Sequence, residues 1–305
     1  MYAGSLVAVV TPMQPTGGID YEAWSRLLEF HLANGTSGIV VAGSTGESAA
    51  VRDEELGELL KQARRVIGRR MALIANTGTS DTASSCERAR TFSGSEYDVD
   101  GLLVACPAYV RPTQEGLFRH FSAVAQASRV PVLLYNVPGR TVADLGNETV
   151  LRLAEVPGIV GLKDATSDLV RHVELVQRLR GRAFALYSGN DDTALPYILL
   201  GGHGVISVTA NVAPKPMSEM CAAAARGDLA TARAINERLM ILHTRLFVEA
   251  NPIPVKWAMA EMGLITGELR LPLVPLSPNH HSAVRAALVA AGCTEPEAPK
   301  LRQSR

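Results

Sequence analysis

Lys163 is the residue of this 305-residue chain whose type and position point most clearly to chemistry. It ends an apolar run at 159–162 and precedes a polar turn, and it is one of only five lysines. Burying an ammonium at a strand end costs free energy, and the same burial lowers the pKa, so that a neutral amine can attack a carbonyl and form a Schiff base. The alternative is a lysine whose ammonium reaches solvent at the strand end.

Two further polar side chains are expected near Lys163. Tyr135 ends the preceding apolar run, and a phenol beside an amine can transfer protons during imine formation, with a pKa lowered by its neighbours. Arg140 follows in the Tyr-Asn-Val-Pro-Gly-Arg-Thr segment, and its guanidinium suits a planar carboxylate. A packed tyrosine with its hydroxyl at the rim and a solvated loop arginine are the ordinary alternatives.

The Gly-Ser-Thr-Gly-Glu run at 43–47 follows another apolar run and precedes a helical pattern that opens near Arg52. Glycines allow backbone N–H groups to face a ligand, and the start of a helix favours an anion such as a carboxylate. An ordinary capped turn is the alternative. The adjacent hydroxyls of Ser44 and Thr45 exceed what capping requires, so they favour a ligand site.

Composition excludes several classes of function. The formal net charge is zero, which gives no basic field for nucleic acid. The four cysteines are far apart and the histidines are scattered, so neither a disulfide framework nor a metal site is indicated. No apolar run is long enough for a membrane span, and the N-terminus does not resemble a signal peptide, so we expect a cytoplasmic protein.

The side chains expected at the strand ends restrict the possible reactions further. These ends offer one amine, two phenols (Tyr109 and Tyr135) and several hydroxyls, but no pair of opposed carboxylates of the kind a glycosidase needs. Gly189 and neighbouring glycines fall where many barrels bind phosphate, yet no Lys or Arg accompanies them, so a phosphorylated substrate is only weakly supported. The set suits carbonyl chemistry through an imine.

Eight short apolar runs rich in β-branched residues must position these groups. Each reads as a strand buried on both faces, and their starts lie about 20 to 33 residues apart with helical patterns between most of them. This predicts a (β/α)8 TIM barrel over residues 1–226. An open doubly wound sheet is the alternative, but it lacks a G-x-G-x-x-G fingerprint after the first strand. The predicted strands are 6–10, 38–42, 71–75, 101–105, 132–135, 159–163, 183–188 and 204–208.

Strand signals stop after Gly227. Three helical patterns, at 228–248, 252–262 and 279–291, predict a small C-terminal helical domain over residues 227–293. The polar, proline-bearing tail at 294–305 is expected to be disordered.

Taken together, these segments resemble the dihydrodipicolinate synthase family of pyruvate-dependent class I aldolases from about residue 4 to residue 292. The resemblance rests on long and distinctive stretches. They are Gly-Ser-Leu-Val-Ala-Val-Val-Thr-Pro-Met at 4–13, Gly-Ser-Thr-Gly-Glu-Ser at 43–48, the segments 135–141 and 161–166, the glycine-rich segment 201–212, and Asn-Pro-Ile-Pro-Val-Lys-Trp-Ala at 251–258.

The resemblance implies that Lys163 forms a Schiff base with pyruvate, with no metal or other cofactor. The resulting enamine would attack L-aspartate 4-semialdehyde, and cyclisation would give 4-hydroxy-tetrahydrodipicolinate, the first committed step of lysine and diaminopimelate biosynthesis. It also implies roles for the other site residues. Ser44, Tyr135 and Tyr109 would relay protons, Thr45 would hold the pyruvate carboxylate with Ser44, Arg140 would bind the semialdehyde carboxylate, and Gly189 and Ile206 would contact substrate.

The family is usually a homotetramer, a dimer of dimers. The residue that matches Tyr109 reaches into the site of the neighbouring subunit, so a dimer would be the smallest complete enzyme. The C-terminal helices are candidates for a role in assembly.

Ser44 departs from the family pattern, because most members carry threonine there. Serine keeps the hydroxyl but lacks the β-branch that restricts χ1, so we expect a working relay with looser geometry. Gly-Ser-Thr-Gly-Glu is also common in N-acetylneuraminate lyases, and another pyruvate-dependent aldolase is the alternative function. Arg140 favours the synthase, since those lyases lack this arginine. A non-catalytic barrel that binds a keto acid is a third hypothesis, opposed by the complete set of site residues.

A second departure concerns feedback by lysine. Lysine-sensitive members carry Asn, Glu, Tyr and often His at positions that here have other residues. Loss of the Glu removes a partner for the effector's ammonium, and loss of the Tyr removes an aromatic wall. We therefore expect lysine to inhibit weakly or not at all. The positions are Asp53, Leu56, Ser80, Ser84 and Ala108.

Overall fold

Eight parallel strands form a closed barrel in chain order in the computed structural model, which describes residues 2–294. Closure comes from the first strand, which pairs with the second (Leu6 opposite Gly38) and with the eighth (Gly4 opposite Gly204). The prediction of a (β/α)8 barrel is confirmed, and the open doubly wound sheet was wrong. The strands are Gly4–Ala8 (β1), Gly38–Val41 (β2), Ala72–Asn76 (β3), Gly101–Ala105 (β4), Val132–Asn136 (β5), Ile159–Asp164 (β6), Ala185–Ser188 (β7) and Gly204–Ser207 (β8).

Alternate strand residues face two different apolar environments. In β5, Leu133 and Tyr135 lie among the side chains that fill the barrel, whereas Val132 and Leu134 pack in the layer between barrel and helices. Because both faces of each strand are buried, apolar residues are favoured at almost every position. This explains why the strands read as continuous apolar runs.

Twelve α-helices of the described residues follow or connect the strands. Several begin at side chains that cap the first turn: Asp20, Asp81 and Thr113 each accept a hydrogen bond from the backbone N–H three residues later. The helices are Tyr21–Ala33 (α1), Asp53–Ile67 (α2), Thr82–Phe92 (α3), Gln114–Ala127 (α4), Pro138–Thr141 (α5), Asn147–Leu153 (α6), Leu169–Arg178 (α7), Ala194–Leu199 (α8), Pro214–Ala225 (α9), Leu229–Arg245 (α10), Ile253–Glu261 (α11) and Pro278–Ala290 (α12).

The last three helices extend the helix layer of the barrel, since α10 packs against α8 and α9, and α12 packs against α10 and α11. Leu239 of α10, Val255 of α11 and Val284 of α12 are fully buried in the same apolar cluster as the helix layer. The C-terminal segment therefore shares a continuous core with the barrel. The division at 226/227 stays a prediction, and the tail predicted for 294–305 lies outside the described residues apart from Thr294.

The first strand ends earlier than predicted. The ladder of β1 stops at Ala8, whereas the apolar pattern runs on to Val10. The N–H of Val10 donates instead to Oδ1 of Asn211, 3.0 Å away, and Nδ2 of Asn211 donates to the carbonyl of Ala8 at 2.9 Å. A side chain from the segment after β8 thus replaces a strand partner.

None of the helices within residues 2–294 combines the length and apolar character that a bilayer crossing requires.

Candidate active site

Lys163 lies near the carboxyl end of β6, buried among the carboxyl ends of its neighbours. It is 5% exposed, and it sits opposite Tyr135 of β5 and Tyr187 of β7. Its Nζ is 4.4 Å from the centre of the Tyr135 ring, and no carboxylate of the described residues forms an ion pair with it. The amine is therefore enclosed but not neutralised by a partner.

Burial lowers the pKa of Lys163 from 10.5 to about 8. The negative charge of Asp191 opposes this shift and the positive charge of Arg140 adds to it, so about 8 is the net result of the three effects. A pKa near 8 leaves about a tenth of the amine neutral at pH 7, compared with about one part in three thousand at the ordinary value. The direction agrees with the one expected for a Schiff-base lysine.

Tyr135 is also buried, at 7% exposure, and burial raises the pKa of its phenol. The charge of Arg140 and a side-chain hydrogen bond with Ser44 act in the opposite direction without reversing the effect. The neighbours lower this pKa as expected, but burial outweighs them, because removing a phenolate from water costs more free energy than Arg140 and Ser44 restore, so the net pKa is raised and not lowered. Tyr135 therefore stays protonated at neutral pH and is suited to donating a proton.

The loop at 43–47 presents free backbone donors to the same region. The N–H groups of Gly46 and Ser48 donate to the carbonyl of Gly43 within the loop. Those of Ser44 and Thr45 form no hydrogen bond with any described residue. Two adjacent donors, together with two hydroxyls, can bind a small anion.

The helix that follows this loop begins some residues beyond the hydroxyls. The helix α2 begins at Asp53, and the N–H of Arg52 is already satisfied by the side chain of Glu55 at 2.9 Å. The N–H of Arg52 is therefore not available to an anion, and the expectation that the start of this helix binds one stays a prediction. The turn between Glu47 and Arg52 lies between the helix and the hydroxyls.

A buried ion pair fixes the loop from the C-terminal segment. Lys256 of α11 donates to Oε1 of Glu47 at 2.6 Å and to the carbonyl of Thr11 at 2.9 Å. The side chains of the pair are 0% and 1% exposed. The second carboxylate oxygen of Glu47 accepts the backbone N–H of Arg270 at 3.0 Å. The loop is thus held by groups more than 200 residues away in sequence.

Asn251 contacts two of the predicted site residues. Its Nδ2 donates to Oγ1 of Thr45 at 2.9 Å, and its backbone carbonyl accepts from the guanidinium of Arg140 at 2.9 Å. No role was predicted from the sequence for Asn251, Glu47 or Lys256. The available signals were the scarcity of lysine and the distinctive stretch at 251–258, which contains both Asn251 and Lys256.

Gly189 lies beside the end of the strand that carries Lys163, and Ile206 lies inside the barrel. Gly189 follows β7 and donates its N–H to the carbonyl of Asp164 at 2.7 Å. A Cβ at this position would come within 2.7 Å of the Cβ of Ala165, so glycine is required by the close approach of two loops. Ile206 is fully buried inside the barrel in the same cluster as Tyr135.

Tyr109 is not brought to Lys163 of its own chain. It lies four residues beyond β4, its side chain is 90% exposed, and its backbone φ is +72°. The left-handed conformation costs a non-glycine residue about 1–3 kcal/mol. The tyrosine therefore projects from the mouth of the barrel into solvent.

Asp164 faces away from the amine, as the alternation of a strand predicts. Its carboxylate accepts hydrogen bonds from Thr166 at 2.9 Å and Asn136 at 3.3 Å, and Arg171 of the helix layer lies 3.8 Å away. It is not placed to act as the base for Lys163.

A cavity of about 660 Å³ opens beside these groups, and its wall includes Ser44, Arg140 and Asn251. Its far side contains Ser80 and Ala108, two of the positions considered for lysine feedback. Within the described residues, no three His, Cys, Asp or Glu side chains are grouped as metal ligands.

Leu56 and Asp53, two other positions considered for feedback, are not among the residues that line this cavity. Leu56 is fully buried in the core and cannot reach a ligand in the cavity. The carboxylate of Asp53 lies 3.4 Å from the guanidinium of Arg88, which itself lines the cavity.

Comparison with known proteins places this architecture in one family. The model of the dihydrodipicolinate synthetase family matches residues 1–291. A 4-hydroxy-tetrahydrodipicolinate synthase of Nitrosomonas eutropha is 54% identical over 96% of this chain and 100% of the relative. One of Thiobacillus denitrificans is 55% identical over 93% of this chain and 95% of the relative.

A solved structure agrees with the sequence relatives. The crystal structure of the chloride-inhibited dihydrodipicolinate synthase of Acinetobacter baumannii, complexed with pyruvate, superimposes with a TM-score of 0.93 at 46% identity. The match covers 96% of this chain and 100% of that one. This chain therefore belongs to the dihydrodipicolinate synthetase family.

Proposed function

We infer that this protein condenses pyruvate with L-aspartate 4-semialdehyde to give 4-hydroxy-tetrahydrodipicolinate in lysine and diaminopimelate biosynthesis. Membership of the family supports the reaction. The single structural observation that carries the chemistry is Lys163, a buried amine with its pKa lowered to about 8 beside the phenol of Tyr135. Another pyruvate-dependent aldolase is not favoured.

The reaction begins when the neutral Nζ of Lys163 attacks the keto carbon of pyruvate. The carbonyl oxygen leaves as water after protonation, and Tyr135 is placed to supply that proton because its ring lies 4.4 Å from Nζ and its phenol is protonated at neutral pH. Loss of a proton from the methyl group turns the imine into an enamine, whose carbon attacks the aldehyde of the second substrate. The semialdehyde's own amine then closes the ring on the imine carbon and releases Lys163. The covalent imine supplies the electron sink, so the proposed chemistry uses no metal or organic cofactor.

The remaining site residues take binding and relay roles in this proposal. Thr45 and Ser44 bind the carboxylate of pyruvate through their free N–H groups and hydroxyls. Ser44 also passes protons to and from Tyr135, to which it is hydrogen-bonded. Arg140 binds the carboxylate of the semialdehyde, for which a planar guanidinium is well matched. Gly189 and Ile206 line the space that the substrates fill.

The test of this proposal is reduction with borohydride in the presence of pyruvate, followed by peptide mass analysis. We expect a reduced adduct on Lys163 and none on Lys256, the other buried lysine, because its ammonium is paired with Glu47. An unmodified Lys163 in folded protein would exclude the mechanism and favour a barrel that only binds a keto acid. Turnover of the semialdehyde, compared with cleavage of N-acetylneuraminate, then separates the synthase from the lyases.

We also propose that Tyr109 acts in the site of a second copy, within a homotetramer built as a dimer of dimers in the cytoplasm. Its 90% exposure and its strained backbone support a role at an interface. Mixing Lys163→Met with Tyr109→Phe chains tests this directly. Hybrid dimers regain activity if Tyr109 crosses the interface, and they stay inactive if it serves its own chain.

A further inference from the structure

Asn251 lies between the two groups proposed to hold the substrate carboxylates. It precedes α11, outside the barrel strands, and is 6% exposed. Its side-chain amide contacts Thr45, and its backbone carbonyl contacts Arg140. One residue of the C-terminal segment is therefore connected to both substrate positions.

The direction of the hydrogen bond between Asn251 and Thr45 has a chemical consequence. An amide nitrogen can only donate, so Oγ1 of Thr45 must accept from it over 2.9 Å. A hydroxyl that accepts in this way keeps its own proton free to donate elsewhere. Because Thr45 is 2% exposed and no other described residue hydrogen-bonds its hydroxyl, that proton is available to an anion in the site.

The surroundings hold this arrangement in place. Glu47, two residues after Thr45, is fixed by the buried ammonium of Lys256 at 2.6 Å. Lys256 and Asn251 belong to the same short stretch of chain, so the loop and the amide are positioned by one segment. The loop that carries Thr45 and the segment that carries Asn251 are therefore joined by two buried contacts, the ion pair and the hydrogen bond.

We propose that Asn251 is a positioning residue that sets the hydroxyl of Thr45 as a hydrogen-bond donor to the carboxylate of pyruvate, while its backbone carbonyl holds Arg140. This inference rests on the proposed function of Lys163 and Thr45. It assigns to the C-terminal segment a direct influence on pyruvate binding.

The experiment measures the pyruvate concentration that half-saturates borohydride trapping of Lys163 in the wild type, Asn251→Ala and Asn251→Asp. Loss of one hydrogen bond in the Ala variant is expected to raise this concentration about three- to tenfold. The isosteric Asp variant is expected to raise it more, because a carboxylate would accept the hydroxyl proton of Thr45 and repel the substrate. A purely packing role predicts the reverse order, with the truncated Ala variant worse than Asp, and would overturn the inference.

Two further measurements complete the test. In Asn251→Ala the KM for the semialdehyde should stay at the wild-type value, since the contact with Arg140 is made by the main chain. The double variant Thr45→Val, Asn251→Ala should bind pyruvate no worse than Thr45→Val alone, because Asn251 acts through that hydroxyl. Equal effects on both substrates, or independent effects in the double variant, would contradict the proposal. Should Asn251→Ala fail to fold, the Asp and Thr45→Val variants still decide. Absence of an adduct in the wild type refutes the proposed function instead.

Discussion

Replacing Lys163 by methionine should make the protein more stable while abolishing its activity. Methionine is similar in length and apolar, so it fills the same space without carrying a charge. The difference between the ordinary pKa of 10.5 and about 8 in the folded protein measures how much burial disfavours the ammonium. At 1.36 kcal/mol per pH unit this amounts to about 3 kcal/mol at pH 7.

The pH dependence of this gain follows from proton binding. Between about pH 8 and pH 10.5 the unfolded chain binds a proton at Lys163 that the folded protein does not, so wild-type stability rises with pH in this window. The advantage of Lys163→Met is therefore full below about pH 8. It should fall from about 3 kcal/mol at pH 7 to about 2 kcal/mol at pH 9.

Urea unfolding followed by tryptophan fluorescence provides the measurement, because Trp24 is fully buried. Lys256→Met is the matched control, since Lys256 is equally buried but paired with Glu47. Removing one partner of a buried ion pair should destabilise the protein by about 3–5 kcal/mol. A Lys163→Met variant that was less stable than the wild type, or whose stability advantage did not change between pH 7 and pH 9, would refute this prediction.

Three other outcomes are expected. The rate of borohydride trapping with subsaturating pyruvate should rise about tenfold per pH unit up to about pH 8 and then level off; a rise that continued to pH 10 would show that Lys163 has an ordinary pKa. Ser44→Thr should keep at least about a third of the wild-type kcat because the hydroxyl that bonds Tyr135 remains, whereas a sharp loss would show that the relay needs serine. Millimolar lysine should leave the initial rate nearly unchanged, because Ser84 and Ala108 provide neither a carboxylate nor an aromatic wall; inhibition at micromolar lysine in the same assay would contradict this.

The sequence alone was sufficient to predict the barrel fold, because both faces of each strand are buried. That condition leaves a local pattern, an apolar run every few tens of residues with a helix between, which can be read without knowing the tertiary contacts. The sequence was not sufficient to predict where β1 ends. Beyond Ala8 the backbone N–H of Val10 donates to the side chain of Asn211, about 200 residues later, and not to a neighbouring strand.

Within the site, the sequence by itself indicated Lys163, Tyr135 and the hydroxyl loop, because each directly follows or ends an apolar run and strand ends meet at one face of a barrel. Only the tertiary structure decided the protonation of these groups. The raised pKa of Tyr135 depends on how completely water is excluded, a property of the packed barrel and not of neighbouring residues in the chain.

The tertiary structure also revealed the part played by the C-terminal segment. Lys256 and Asn251 reach Glu47 and Thr45 across more than 200 residues of sequence, and no local pattern in the segment that carries them identifies those partners. A sequence pattern reports which side chains are buried, because burial repeats with the period of a helix or strand. Which buried polar atoms pair with one another has no such period, so only the folded chain determines it.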